Sequence, residues 1–237
     1  PDLRAKGCEM MSGLDWTEEL KKRTGIGFLT TRPMEIEKKS FEIIKGELGE
    51  EFVSRYPADA LPVLCRVIHT TADFSYRDTL TITEGAIGLA KEAIYRGLPI
   101  ITDTTMAASG INKAAARKFG IDVHCFIGDE DVKEAAKASG MTRSAVSAEK
   151  AARLYSECIY AVGNAPTALM RLYELIEEKK IRPALIIGVP VGFVNVVEAK
   201  ELILRTDVPA IVARGRKGGS NIAAAICNAL LYEAGGR

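Results

Sequence analysis

Histidine is scarce in this chain: His69 and His124 are the only two in 237 residues, and no short Cys/His ligand spacing is present. A zinc site is therefore not expected. The five cysteines (Cys8, Cys65, Cys125, Cys158 and Cys227) form no CxxC pair, and their odd count and scattered spacing argue against a disulfide framework. Four of them lie inside apolar segments, where cysteine behaves as a small buried hydrophobe. A charge excess is missing too. With 32 basic against 31 acidic residues the net charge is +1, which gives no global attraction to nucleic acid. An acidic ligand would have to be held by local clusters. No apolar run reaches the ~18 residues of a membrane span. Residues 1–22 lack the apolar core of a signal peptide, so a cytoplasmic location is expected. Neither GxGxxG nor GxxxxGK[ST] occurs, which removes the usual dinucleotide and P-loop readings. There is no internal repeat and no low-complexity stretch.

What is present is an ordinary globular composition, 47% hydrophobic and 27% charged, in a chain long enough for one large α/β domain or two small ones. Residues 1–33, with Gly25, Gly27, Pro33 and weak periodicity, read as a partly ordered N-terminal arm. Residues 34–237 read as a single α/β domain. Five β-branched runs stand out: 98–103, 122–127, 159–162, 184–189 and 208–213. Each is apolar on consecutive residues, the pattern of strands covered on both faces. Helical periodicity fills the gaps at 84–96, 131–139, 144–157, 165–179, 194–204 and 221–234. The alternation predicts a three-layer α/β/α architecture around a mainly parallel sheet of about five strands.

Ligands of open parallel sheets bind at the carboxyl ends of strands. The segments that follow these strands are rich in Gly, Pro and small polar residues, a composition that lets a large flat ligand approach the backbone. Gly215-Arg-Lys-Gly-Gly-Ser220 follows a strand and opens a helix. Free N–H groups at such an end favour an anion, and Arg214, Arg216 and Lys217 add positive charge, although a solvated turn has the same composition. Asn164 in Gly163-Asn-Ala-Pro-Thr167 reads as a helix N-cap, with Pro166 in the first turn; the same turn can present N–H groups to a carboxylate. Thr142 or Ser144 is a cap for the helix that follows, and Arg143 between them has the geometry of a carboxylate clamp.

A helix is predicted over 57–71, with Leu61, Leu64, Cys65 and Ile68 as its apolar stripe. Arg66 and His69 are three apart, His69 and Asp73 four apart, so the three share another face. A cation, an imidazole and a carboxylate side by side form a candidate acid/base set; the plainer reading is a surface histidine beside a salt-bridging arginine. His124, between Val123 and Cys125 in a strand, reads as a satisfied core or edge histidine.

Taken together, these segments resemble the precorrin-8X methylmutase (cobalt-precorrin-8 methylmutase) family. The resemblance is carried, in order, by Ile36-Glu-Lys-Lys-Ser-Phe41, Arg66-Val-Ile-His69, residues 103–110, Thr142-Arg-Ser144, Gly163-Asn-Ala-Pro-Thr-Ala-Leu169, Gly188-Val-Pro-Val-Gly-Phe-Val194, Glu198-Ala-Lys200 and residues 215–220. It spans roughly residues 34–232. It implies an intramolecular methyl migration from C-11 to C-12 of the corrin ring, assisted by ring protonation, in cobalamin biosynthesis. His69 falls on the catalytic histidine, Ser40 and Arg66 on substrate-contacting residues, and Arg143 on a further pocket arginine. Asn164, Gly218, Gly219 and Ser220 complete the expected substrate-binding set. A homodimer, a polycarboxylate tetrapyrrole as the small-molecule partner, and no cofactor, metal, nucleic acid or membrane are implied with it. The chain departs from many members at Ala199, where they carry serine. It also departs from some at Thr105 and Ser109, where those carry an acidic residue and a histidine. Two other classes fit parts of the pattern. A non-catalytic corrinoid carrier would need the fold but no proton donor, and a Rossmann-like dehydrogenase would need the missing GxGxxG.

Overall fold

A computed structural model describes residues 16–30 and 32–236. The chain divides into two compact units, residues 1–47 and 48–237. Residues 1–15 of the expected arm, Cys8 among them, lie outside the described residues. The first unit contains helix α1 (Trp16–Thr24) and most of α2 (Pro33–Leu48). Gly25 ends α1 with φ 73°, a left-handed conformation open to glycine without a Cβ penalty, and its N–H reaches Lys21 O at 2.8 Å. Ser40 lies half-buried on α2, and its hydroxyl donates to Ile36 O at 2.8 Å.

The second unit begins with α3 (Glu50–Arg55), α4 (Leu61–Thr71), α5 (Tyr76–Thr79), β1 (Leu80–Ile82) and α6 (Ala86–Tyr95). The alternating series follows: β2 (Ile100–Thr102), α7 (Thr105–Gly110), α8 (Lys113–Arg117), β3 (Val123–His124), α9 (Glu130–Ser139), α10 (Arg143–Leu154) and β4 (Ile159–Val162). It ends with α11 (Pro166–Glu177), β5 (Leu185–Gly188), α12 (Val196–Ile203), β6 (Ala210–Ala213) and α13 (Ser220–Ala234). Every strand run seen in the sequence contains a strand, most of them shorter than the run. Among the described residues the sheet has six strands in the order β1-β6-β5-β4-β2-β3, all parallel except β1, which pairs antiparallel with β6. The sixth strand is the addition to the expected five. Leu80-Thr-Ile82 is too short to show a period of its own, and pairing with Ala213, Val212 and Ile211 makes it a strand.

The central strands are buried on both faces, as continuous apolar runs require. Ile101, Tyr160, Val162, Ile186, Ala210 and Val212 pack with Leu169 and Leu172 of α11 and Ala199 and Ile203 of α12. The alternate residues Ile100, Ile159, Ala161, Leu185, Ile187 and Ile211, each at most 1% exposed, point to the other face, where α13 packs with α4, α6 and α7. The α13 sequence Ile222-Ala-Ala-Ala-Ile-Cys227 is small and apolar on every side, and all six residues are buried.

Candidate functional site

Strand order creates the site. From β2 the chain moves outward to β3, then returns past β2 to β4, β5 and β6. The reversal between β2 and β4 is a topological switch point, and a crevice opens there at the carboxyl ends of the strands. A cleft of about 420 Å³ occupies this position, lined by Asp103, Thr104 and Thr105 after β2, Ile127 after β3, Thr142, Arg143 and Ser144 at the start of α10, and Asn164 after β4. Hydroxyls, an amide and a guanidinium offer hydrogen-bond donors there, beside the Asp103 carboxylate. Arg143 is exposed at the first position of α10 and has no anionic partner among the described residues. Thr142 caps α10, accepting from Ala145 N at 3.2 Å, and its hydroxyl meets that of Thr167 at 2.7 Å.

Asp103 braces the switch point. It is 5% exposed, and its carboxylate accepts the N–H groups of Gly163 (2.9 Å), Asn164 (2.8 Å) and Ala165 (2.8 Å). Burial pushes its pKa up, and the backbone donors pull against that shift. This corrects the expected role of Asn164. The N-cap position of α11 belongs to Ala165, and no side chain from the turn caps the helix. The carboxylate from the neighbouring strand holds the turn instead, leaving the Asn164 side chain exposed at the cleft.

The loops after β4, β5 and β6 are interlocked. Val189 N donates to Val162 O at 2.9 Å, Gly219 N to Val189 O at 2.8 Å and Gly192 N to Arg216 O at 3.1 Å. The hydroxyls of Thr104 and Ser220 lie 2.8 Å apart. A Cβ on Gly163 would sit 2.6 Å from Ser220 Cα, and one on Gly218 would sit 2.1 Å from Val189 O. These two glycines therefore serve loop-against-loop packing on the side where a Cβ would stand. Beneath the last loop lies Lys200 of α12, 0% exposed, donating to Gly215 O and Lys217 O at 2.8 Å each. Burial lowers its pKa to about 8.

The positive charge around 214–217 is divided by its partners. Arg214 is held by Glu201 at 2.9 and 2.7 Å. Lys217 donates to Asp73 at 2.6 Å and to Ser75 Oγ at 2.9 Å, which lowers the Asp73 pKa to about 2. Arg216 lies over the Phe193 ring at 5.5 Å and has no anionic partner among the described residues.

Arg66 and His69 lie on α4 as predicted. Arg66 is half-buried with its guanidinium 5.3 Å from the Tyr232 ring centre, and His69 is exposed in the last turn. Asp73 does not share their helical face. The helix stops at Thr71, Ala72 turns left-handed at φ 51°, and Asp73 is directed to Lys217. That ion pair ties the end of α4 to the loop after β6, which places the turn bearing His69 on the carboxyl-end side of the sheet. His124 is a packed edge histidine: its ring stacks with Phe126 and Tyr155, and Nε2 meets Tyr155 Oη at 3.0 Å.

Sequence reasoning assigned no role to Asp103 or Lys200. Lys200 left a signal, because Val196, Ala199, Lys200 and Ile203 form one i, i+3, i+4, i+7 stripe and all four are buried. Asp103 ends a strand and opens a segment that carries the family resemblance, but no spacing marked it as a brace, since its partners lie 60 to 62 positions away.

Comparison with known proteins agrees with this architecture. The precorrin-8X methylmutase family model matches residues 35–233. The cobalt-precorrin-8 methylmutase of Leptospira interrogans is 44% identical over 211 residues, covering 86% of this chain and 94% of that protein. The precorrin-8X methylmutase of Pseudomonas aeruginosa is 36% identical over 203 residues, covering 84% and 94%. The crystal structure of precorrin-8x methyl mutase from Thermus thermophilus superposes with a TM-score of 0.75 at 38% identity, covering 85% of this chain and 98% of that one. Matched along nearly all of its second unit, the chain belongs to the precorrin-8X methylmutase family and is an isomerase of cobalamin biosynthesis.

Proposed function

We propose that the chain moves a methyl group from C-11 to C-12 of precorrin-8X or its cobalt counterpart, giving hydrogenobyrinate or cobyrinate. The observation that carries this reading is the donor-lined cleft at the switch point, with Arg143 at its mouth, in a chain of this family. The bond from the methyl group to C-11 breaks as the bond to C-12 forms, and a proton lent to the ring assists the shift. His69 is the proposed general acid, since an imidazole can give and recover a proton near neutral pH. Arg66, Arg143, Asn164 and the backbone of Gly218 and Ser220 are the proposed partners of the ring's carboxylates; Gly219, expected among them, spends its N–H on Val189 O instead. The shift is internal and changes no oxidation state, so the scheme calls for no redox cofactor or nucleotide. Among the described residues no helix is long and apolar enough to cross a membrane. We place the reaction in the cytoplasm.

Incubation with precorrin-8X and, separately, with its cobalt counterpart, followed by absorbance, tests the reading, because moving the methyl group changes ring conjugation. Conversion to hydrogenobyrinate or cobyrinate is expected; tight binding without conversion of either would make the protein a corrinoid carrier. We further propose that the working form is a homodimer. Light scattering at micromolar concentration should give twice the chain mass, and a fully active monomer would overturn this.

Arg143 and Arg216 carry charge that no described anion neutralises. Arg143→Ala and Arg216→Ala are each expected to weaken corrinoid binding roughly ten- to a hundredfold, the worth of one charge-assisted hydrogen bond, with little change in stability. The loss should shrink as salt is added. Dissociation constants equal to wild type at low salt would place the anion contacts elsewhere.

A further inference from the structure

Lys200 is the largest fully buried side chain of the second unit, and it is cationic. Taking an ammonium out of water costs several kcal/mol, and a well-packed apolar side chain is often at least as stabilising at such a position. The burial is matched by two contacts with a single segment: the carbonyls of Gly215 and Lys217 both accept from Nζ at 2.8 Å. A trans peptide sets its C=O and N–H in opposite directions, and no cis peptide occurs among the described residues. With the carbonyls of peptides 215–216 and 217–218 turned down to the ammonium, the N–H groups of Arg216 and Gly218 point away from it. Neither N–H has an acceptor among the described residues. The following N–H, that of Gly219, is used up on Val189 O at 2.8 Å, which anchors the far end of the segment.

Resting on the methylmutase reading above, we propose that Lys200 is a positioning residue. From beneath the loop it fixes two peptide planes so that the N–H groups of Arg216 and Gly218 are held facing away from the ammonium, ready for the carboxylates of the substrate. The ammonium touches no substrate atom. It acts through the loop, and its positive charge polarises both peptides so that each N–H becomes a stronger donor. Lys217, whose own side chain is occupied by Asp73, contributes its backbone carbonyl to the arrangement rather than its charge.

The test is Lys200→Ala in the full chain, assayed with precorrin-8X and rescued by propylammonium, which matches the deleted atoms. KM should rise roughly tenfold or more while kcat stays within about threefold, because binding is altered and the proton donor is not. Propylammonium should restore KM, and 1-propanol, of similar size but uncharged, should not. A folded variant with wild-type KM, or equal rescue by the alcohol, would overturn the proposal. Where the variant does not fold, the wild-type protein labelled with 15N at lysine Nζ decides. The Lys200 ammonium resonance should move during titration with hydrogenobyrinate, and an unmoved resonance at saturation would overturn the role. Wild-type protein that binds but converts neither precorrin-8X nor its cobalt counterpart would remove the methylmutase reading itself, an outcome separate from these.

Discussion

Substitution of His69 by asparagine is expected to lower turnover by roughly 10² to 10⁴, the usual worth of general acid–base catalysis, while the protein folds and binds the corrinoid. Folding should survive because His69 is exposed in the last turn of α4, and the helix is anchored by Leu61, Val63, Leu64, Cys65, Val67 and Ile68 on its buried side. Binding should survive because the imidazole is a small part of the contact surface of a large macrocycle. Asparagine keeps polarity and hydrogen bonding but has no proton to lend near neutral pH, which isolates the step under test. His124→Asn is the control. That ring is held between Phe126 and Tyr155 at the sheet edge, so its loss should cost some packing and leave turnover close to wild type. The measurement is the absorbance change of the ring under single-turnover conditions, with dissociation constants taken separately. A fast His69→Asn enzyme beside a slow His124→Asn enzyme would mean that the wrong histidine has been assigned. Fast turnover in both would remove imidazole protonation from the mechanism.

The second large effect is expected at Asp103. Asp103→Ala leaves the N–H groups of Gly163, Asn164 and Ala165 without their acceptor at a site that is 5% exposed. Loss of a buried charged partner of this kind typically costs ~3–5 kcal/mol. Asp103→Asn keeps the shape and one acceptor oxygen but turns an NH₂ group toward a backbone donor, so a cost of ~1–3 kcal/mol is expected. Urea unfolding of the free protein gives both numbers, with no substrate present. The same variants should raise KM, since the turn carrying Asn164 and the wall of the cleft lose their brace. An Asp103→Ala protein as stable as wild type would show that the turn holds itself and that the carboxylate is no brace.

The layered α/β class was legible because its signal is local. Strands covered on both faces must be apolar at consecutive positions, and the runs around Ile101, Tyr160, Ile186 and Ile211 are. The cap at Thr142 was legible for the same reason, since its acceptor and the Ala145 N–H are three residues apart. Arg66 and His69 were placed on one helix by spacing alone, and α4 contains both. Asp73 was misplaced because its neighbour Ala72 turns left-handed. An alanine gives no local sign of that conformation, and the ion pair with Lys217 joins residues 144 positions apart.

By itself, then, the sequence determined the alternation of strands and helices, the carboxyl-end loops, the candidate histidine and the family likeness. All of these rest on periodicity, short spacings or motif order. The tertiary structure alone decided the strand order that puts the switch point between β2 and β4. It also decided the antiparallel sixth strand, the use of Asp103 rather than Asn164 to hold the turn after β4, and the ammonium of Lys200 beneath the loop after β6. The physical reason is shared. Each of these depends on a hydrogen-bonding partner from another element of the fold, and such partners meet only when the packed sheet brings the ends of its strands together.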